Sequence, residues 1–363
     1  MATVDTRPEA ASRFGVARSD RTSRIGSCCL LAVTVLLAAL PQIFGADIVQ
    51  QMTSLLILVV LAAMWNALAG YAGMVSVGQQ TFIGFGAYTT IFLTQRDIEP
   101  YLAVVLAAVI CAALAALLAP LVLRLRGGQF AVGTWVVAEA AALLVMLDHS
   151  LGGGTGTSLR GLNVFAPQVR RAYTFWLTLA FAVLLLGALF VLLRRRTGAA
   201  LQAIRDAEEA AASLGVRTFS LKFAIYVLAG FGCGAAGALI LANTLFIQPQ
   251  SIFGVQWSAY MVFMVLVGGI GTFEGPIIGA VVFFLLQQEF ADAGAWYLIG
   301  LGVVAVAFAL FLPRGIWGLV SHRRQIRLLP IGYHLRQHTD PQPNKPHRNQ
   351  SHRTDPPQIR PHG

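Results

Sequence analysis

Long runs of Leu, Val, Ala and Phe alternate along this chain with short polar or glycine-bearing interruptions. A bilayer core takes about 20 apolar residues per helix. The runs at 27–44, 52–70, 76–94, 101–123, 131–147, 172–193, 219–242, 257–271, 275–290 and 295–313 each approach that length. The pattern predicts an all-α polytopic membrane protein of about ten (8–10) transmembrane helices, because three of the runs are short or broken by glycine. Residues 26–320 form this transmembrane domain. Residues 1–25 and 321–363 are polar, rich in Arg at the start and in Pro, His, Arg and Gln at the end, and read as disordered tails. The Arg-bearing start lacks a small-residue cleavage site before the next polar stretch, so the first run reads as an uncleaved span.

Charge gives the spans a direction. With ten spans and an internal N-terminus, 22 of the 26 Lys and Arg fall on the inner side, leaving Arg96, Arg160, Arg170 and Arg171 outside. That is the asymmetry of the positive-inside rule, and it places both termini in the cytoplasm of a cell whose inner membrane holds the chain. The net charge of +10 then sits in tails and loops facing an anionic leaflet, with membrane lipid as its partner and no nucleic acid.

Candidate chemistry is sparse. Cys28, Cys29, Cys111 and Cys233 lie in or beside apolar runs without metal-type spacing and read as small packing residues. Six of the seven histidines fall at 322–362 among prolines, in irregular spacing that favours a solvated tail over a metal site. The glycine-rich loop at 148–171 has no lysine to reach a phosphate, and the two lysines, Lys222 and Lys345, follow no glycine run. This polypeptide therefore hydrolyses no ATP, and it carries no catalytic constellation and no cofactor or metal site. Glu139, in FAVGTWVVAEAAALL, is the one carboxylate well inside a run. An intramembrane carboxylate is either functional or satisfied across a helix interface, and Thr134 is read as sharing its polar face.

Three segments carry more. TGAALQAIRDAEEAAASLGVRTFS, 197–220, places Leu201, Ile204, Ala207, Ala211 and Leu214 at helical spacing, with Arg205, Asp206, Glu208 and Glu209 on the other faces and Gly215 as the stop. This cytoplasmic amphipathic helix either lies on lipid or docks on a protein, and adjacent glutamates suit a protein better than an anionic leaflet. GYAGMVSVGQQTFIGFGAYTT, 70–90, holds five glycines, a Gln pair and several hydroxyls in the middle of apolar sequence. Loose polar backbone in a membrane survives only inside protein or along a water-filled cavity. Gly70, Gly73 and Gly78 are read as opening the helix, Ser76, Gln79, Gln80 and Thr81 as polar contacts, Gly84 and Gly86 as letting a neighbouring helix approach closely, and the whole stretch, with Tyr88, as the wall of a translocation path. GGIGTFEGPIIGA, with Gly268, Gly269, Gly271, Gly275 and Pro276, is a second break of similar texture, and paired broken segments point to a central binding site.

In order along residues 50–320, NALAGYAGMVSVGQQTFIGFGAYTT, RLRGGQFAVGTWVVAEA, AIRDAEEAAASLGV with YVLAGFGCGAAGALI, VLVGGIGTFEGPIIGA and LPRGIWGL together resemble the permease subunit of branched-chain amino acid ATP-binding-cassette importers, of the longer permease type. Glu209, Ala210, Ala211 and Gly215 match that family's Glu-Ala-Ala-x-x-x-Gly coupling pattern. The resemblance implies that the cytoplasmic helix docks on an ATPase. It also implies two ATPase subunits, a second homologous permease or a self-dimer, and an extracytoplasmic substrate-binding protein. The solute it implies is a branched-chain or other amino acid, with urea or a short amide as the alternative within the family. A transporter driven by an ion gradient, with Glu139 as proton site, is the rival from another class. The external loop departs from the family's Thr-Gly-Gly-x-x-Gly, reading LGGGTGTSLRGL, and the His- and Pro-rich tail has no counterpart.

Overall fold

The structure is a computed structural model that describes residues 14–17, 21–159, 166–290, 294–312, 315–324 and 334–337. Its main unit is a helical bundle: α1 (Arg21–Ile43), α2 (Ala46–Asn66), α3 (Gln80–Thr94), α4 (Pro100–Val122), α5 (Gly128–Leu147), α6 (Pro167–Arg194), α7 (Arg196–Asp206), α8 (Glu208–Ser213), α9 (Thr218–Thr244), α10 (Pro249–Ile252), α11 (Gln256–Gly268), α12 (Gly275–Phe290), α13 (Ala295–Phe311) and α14 (Gly315–Arg324). Each of the ten apolar runs coincides with a helix. Among the described residues, however, only 7 segments are long and apolar enough to cross a membrane. α12 has 16 residues and α3 has 15, whereas α1 has 23. The chain is thus a multi-pass membrane protein with several short helices among full-length ones.

Local chemistry sets the ends. At α4 the Glu99 carboxylate accepts the Leu102 N–H at 2.7 Å and Pro100 occupies the first turn, where its missing N–H costs nothing. Beyond α5, the Asp148 carboxylate accepts the hydroxyl and then the backbone N–H of Ser150, which hold its pKa below the ordinary carboxylate value. Thr157–Ser158 pairs antiparallel with Phe246–Ile247 and ties this loop to the end of α9.

α2 sits at the centre, packed against α6, α9, α11 and α12, while α9 also packs on α3 and α4. Without a hydrophobic drive between helices in lipid, close approach of small residues supplies the attraction. A Cβ at Gly86 of α3 would overlap the Gly234 carbonyl of α9, and one at Gly237 would overlap the Ile83 carbonyl. The same glycine face of α9 also meets α4, where Gly230 and Gly234 accommodate Ala115 and Cys111. The outer faces of α4, α6 and α13 expose large apolar side chains such as Leu117, Leu184 and Leu310, as a lipid-solvated surface does.

A second, small unit pairs Phe14–Ala17 antiparallel with His334–Gln337, Phe14 opposite Gln337 and Ala17 opposite His334. Helix also extends past both expected domain limits, from Arg21 at one end and to Arg324 at the other. The remaining parts of the two polar tails, with His338, His347, His352 and His362, lie outside the described residues.

Candidate functional site: two broken helices joined by a polar clamp

α2 does not end cleanly at Asn66. One wide π-helical turn, Ala67–Tyr71, follows, then the chain leaves the helix, runs irregularly from Gly73 and re-enters one at Gln80. The freed backbone groups are met by protein, as a membrane interior demands. Met74 N–H donates to Leu68 O at 2.9 Å and Val77 N–H to Thr134 Oγ1 at 3.2 Å. Trp65 Nε1 donates to Ser76 O at 2.9 Å. The Ser76 hydroxyl accepts from Gly78 N at 3.3 Å and Gln79 Nε2 at 3.2 Å. One residue on, Gln80 Oε1 accepts the Ser258 hydroxyl of α11 at 2.6 Å.

The glycine segment between α11 and α12 is the second break, and Gly271 adopts a left-handed φ of 72° there. Sequence distance hides how the two breaks meet. The buried Asn66 carboxamide spans them, with Nδ2 donating to Thr272 O at 2.8 Å and Oδ1 accepting Gly271 N–H at 2.9 Å. Gly70 faces Gly271 so closely that a Cβ would lie 2.7 Å from its nitrogen. Arg205, from α7, reaches the same point and donates from Nη1 to Gly70 O at 2.9 Å. Its backbone lies against Gly73, where a Cβ would be 3.2 Å from Arg205 Cα.

The 197–216 segment is two helices rather than one, with Ala207 extended between them at φ −158°. The apolar stripe divides accordingly. Leu201, Ile204 and Ala211 are buried against the bundle, whereas Ala207, Ala210 and Leu214, the last 85% exposed, face outward. A continuous helix would carry Glu208 on around the turn, but the break aims it at Lys222, 2.6 Å away, in a half-buried pair. Glu209 stays exposed and meets only Arg126, at 3.3 Å, while Asp206 pairs with Arg205 at 2.9 Å. Gly215 ends α8 with φ 83°. Of the residues assigned to docking, Arg205 and Glu208 thus turn inward, and Glu209 and Ala210 remain on the surface.

The sequence-nominated path residues are mostly packed. Ser76, Gly78, Gln79, Gln80, Thr81, Gly84, Gly86 and Tyr88 are buried in helix contacts, with Gly78 backed by Thr134 and Gly84 by the Phe253 ring. Gly268 and Gly275 touch each other, Gly269 lies against Gly315, and Pro276 is buried beside them. Among the described residues, Tyr71 OH, Gln79 Oε1, Gln80 Nε2, Thr81 Oγ1 and Tyr88 OH are buried around the first break without a hydrogen-bond partner. Thr134 and Glu139 do not share a face. Five residues apart they diverge by more than a quarter turn, so Thr134 is buried on the break while Glu139 is exposed, accepting only Trp135 Nε1 at 2.9 Å.

Space lies elsewhere. A cavity of about 590 Å³ opens at the opposite ends of α2, α9 and α12 from the clamp. Ile57, Leu58, Trp257, Tyr260 and Phe283 form its apolar part, and Gln50, Gln51, Ser54, Asn243, Gln287 and Gln288 its polar part. Asn243 Nδ2 donates to Ser54 Oγ at 3.0 Å across its wall. None of these was singled out from sequence, because amides near helix ends look like ordinary membrane-interface residues. A smaller cavity of about 190 Å³ lies between Gly73, the α4–α5 turn, Arg205, Glu208 and Lys222. Among the described residues no group of three or more His, Cys, Asp or Glu side chains is placed to hold a metal ion.

Residues 48–315 match the family described as branched-chain amino acid transport system / permease component. The high-affinity branched-chain amino acid transport system permease protein LivM of Salmonella typhimurium is 27% identical over 326 residues, which cover 82% of this chain and 76% of that protein. LivM of Escherichia coli gives the same figures, 27% over 326 residues. The probable branched-chain amino acid transport permease protein LivM of Methanocaldococcus jannaschii is 27% identical over 161 residues, 43% of this chain and 46% of that one. No solved structure gives a significant match. The family match begins in the first turn of α2 and ends at the start of α14, so it takes in both broken helices, the clamp and the cavity: this chain belongs to the family of branched-chain amino acid transport permease components.

Proposed function

We propose that this chain is the membrane subunit of an ATP-driven importer that carries branched-chain, apolar amino acids across the inner membrane, with both termini cytoplasmic. Two separate ATPase subunits, a second homologous permease or copy of this chain, and an extracytoplasmic binding protein complete it. The clustering of Lys and Arg supports placing the α7–α8 end in the cytoplasm. The cavity then opens outward, where a binding protein delivers solute. Its aromatic and aliphatic wall suits an apolar side chain, and its carboxamides and Ser54 suit the α-carboxylate and ammonium groups.

One observation carries the reading: the arm nearest the cytoplasm is hydrogen-bonded to the first broken helix, which is itself hydrogen-bonded to the second. Arg205 holds the Gly70 carbonyl, and Asn66 passes that position on to Gly271 and Thr272. α11 and α12, which flank the second break, also line the cavity. ATPase closure against Ala210, Leu214 and Glu209 displaces α7, the clamp moves the breaks, and the cavity changes its access. The unpartnered polar atoms at the first break favour a second arrangement in which they are met.

Co-purification and uptake test this together. Affinity purification is expected to recover a Walker-type ATPase. Radiolabelled leucine uptake in cells is expected to stop on ATP depletion and to continue after a proton uncoupler. Purified chain alone in liposomes that accumulates leucine under a proton gradient contradicts the proposal.

A further inference from the structure

α5 has two faces. Phe130, Thr134, Ala138, Ala141 and Val145 are buried against the bundle, while Val132, Trp135, Val136, Glu139 and Leu143 form an exposed stripe at helical spacing. Glu139 lies near the middle of this 20-residue span, far from either end. Among the described residues it is the one Asp, Glu, Lys, Arg or His in the central part of a membrane-length helix, since Asp47, Arg170, Arg171, Arg194, Lys222 and Glu289 all sit near helix ends. Its Oε1 accepts a single hydrogen bond, from the exposed Trp135 one turn away on the same stripe.

Acyl chains offer neither donors nor acceptors, so a carboxyl group facing them at that depth is expensive whichever form it takes. α13 shows what a lipid-facing helix of this chain looks like: from Ile299 onward its exposed side chains, including Ile299, Val303, Val306 and Leu310, are wholly apolar. Trp135 strengthens the contrast, because indoles in lipid-exposed helices collect at the headgroup level and not midway along.

We infer that the Trp135–Glu139 face of α5 is the surface on which the second permease subunit packs, with a polar group of that subunit meeting the Glu139 carboxyl inside the membrane. This rests on the importer reading for the existence of a second permease and adds where it binds. Val132, Val136 and Leu143 supply the apolar contact around the carboxyl, and Ala140 beside them lets a helix come close.

Site-specific photocrosslinking in the intact membrane tests the surface. A benzophenone side chain replaces Val136 in one variant and Leu310, on α13, in the other, with the complete importer co-expressed. The expected result is an adduct at Val136 whose tryptic peptides belong to a second permease chain, and lipid adducts only at Leu310. Glu139→Gln, which keeps the hydrogen-bonding shape, is expected to retain the adduct. Glu139→Leu, which strands the facing polar group, is expected to lower its yield by about tenfold or more. Lipid adducts or none at Val136 overturn the inference, as does a permease adduct at Leu310 alone. ATPase recovery in the same preparations shows whether the importer reading fails with it or stands without it.

Discussion

Asn66 closes two hydrogen bonds to backbone more than 200 residues away in sequence, and it does so from a fully packed position. Asn66→Ala strands the Gly271 N–H and the Thr272 carbonyl, at about 1–3 kcal/mol for each group that finds no substitute. Thermal unfolding of the detergent-purified variant is expected to show a clearly lowered Tm, and an unchanged Tm contradicts the clamp. Gly86→Val places a branched side chain onto the Gly234 carbonyl, and the resulting separation of α3 from α9 costs about 1–3 kcal/mol by overpacking. The matching measurement is the yield of folded, monodisperse protein in size-exclusion chromatography, expected to fall. That Gly86 permits close helix approach is readable from its glycine-rich setting. The partner it approaches is not, since nothing local names α9. Glu139 shows the same limit in another form: its identity stands out in an apolar run, but both faces of α5 are apolar, so periodicity could not tell inward from outward. Reading it on the Thr134 side was therefore wrong.

At the scale of elements, glycine clusters marked both breaks, because in lipid a helix interrupts itself only where protein meets its backbone. The π-turn at Ala67–Tyr71 and the Asn66 bridge depend on tertiary partners and left no local mark. The arm at 197–216 was legible as amphipathic but not as bent, since Ala207 is a good helix former whose extended conformation is imposed by the burial of Ile204 on one side and Ala211 on the other. The bend assigns separate duties to adjacent glutamates. Glu208 is held by Lys222, whereas Glu209, Ala210 and the 85% exposed Leu214 are offered outward. Leu214→Asp is expected to abolish ATPase co-purification while membrane insertion, read by protease accessibility of the tails, is unchanged. Deletion of 205–215 is expected to do the same to uptake, and uptake surviving either change contradicts docking through this arm.

For the whole molecule, the alternation of apolar runs gave the helical membrane fold correctly, and every run became a helix. Among the described residues 7 segments are full-length spans, and α3 and α12, at 15 and 16 residues, fall short of the length that crosses a bilayer alone. The 590 Å³ cavity could not be foreseen, because its walls come from four helices that are adjacent only in the folded chain. Its distance from the breaks sets the central proposal, that movement at the α7–α8 arm reaches a solute at the far end through Arg205 and Asn66. The most direct test purifies the complete importer carrying Arg205→Ala, reconstitutes it in liposomes, and measures ATP hydrolysis and leucine uptake together. Loss of the Gly70 contact is expected to leave the ATPase bound and hydrolysing while uptake falls by about tenfold or more, with Arg205→Lys intermediate because a single ammonium replaces a fixed fork. Uptake at the unaltered rate, with hydrolysis still tied to it, would contradict the account.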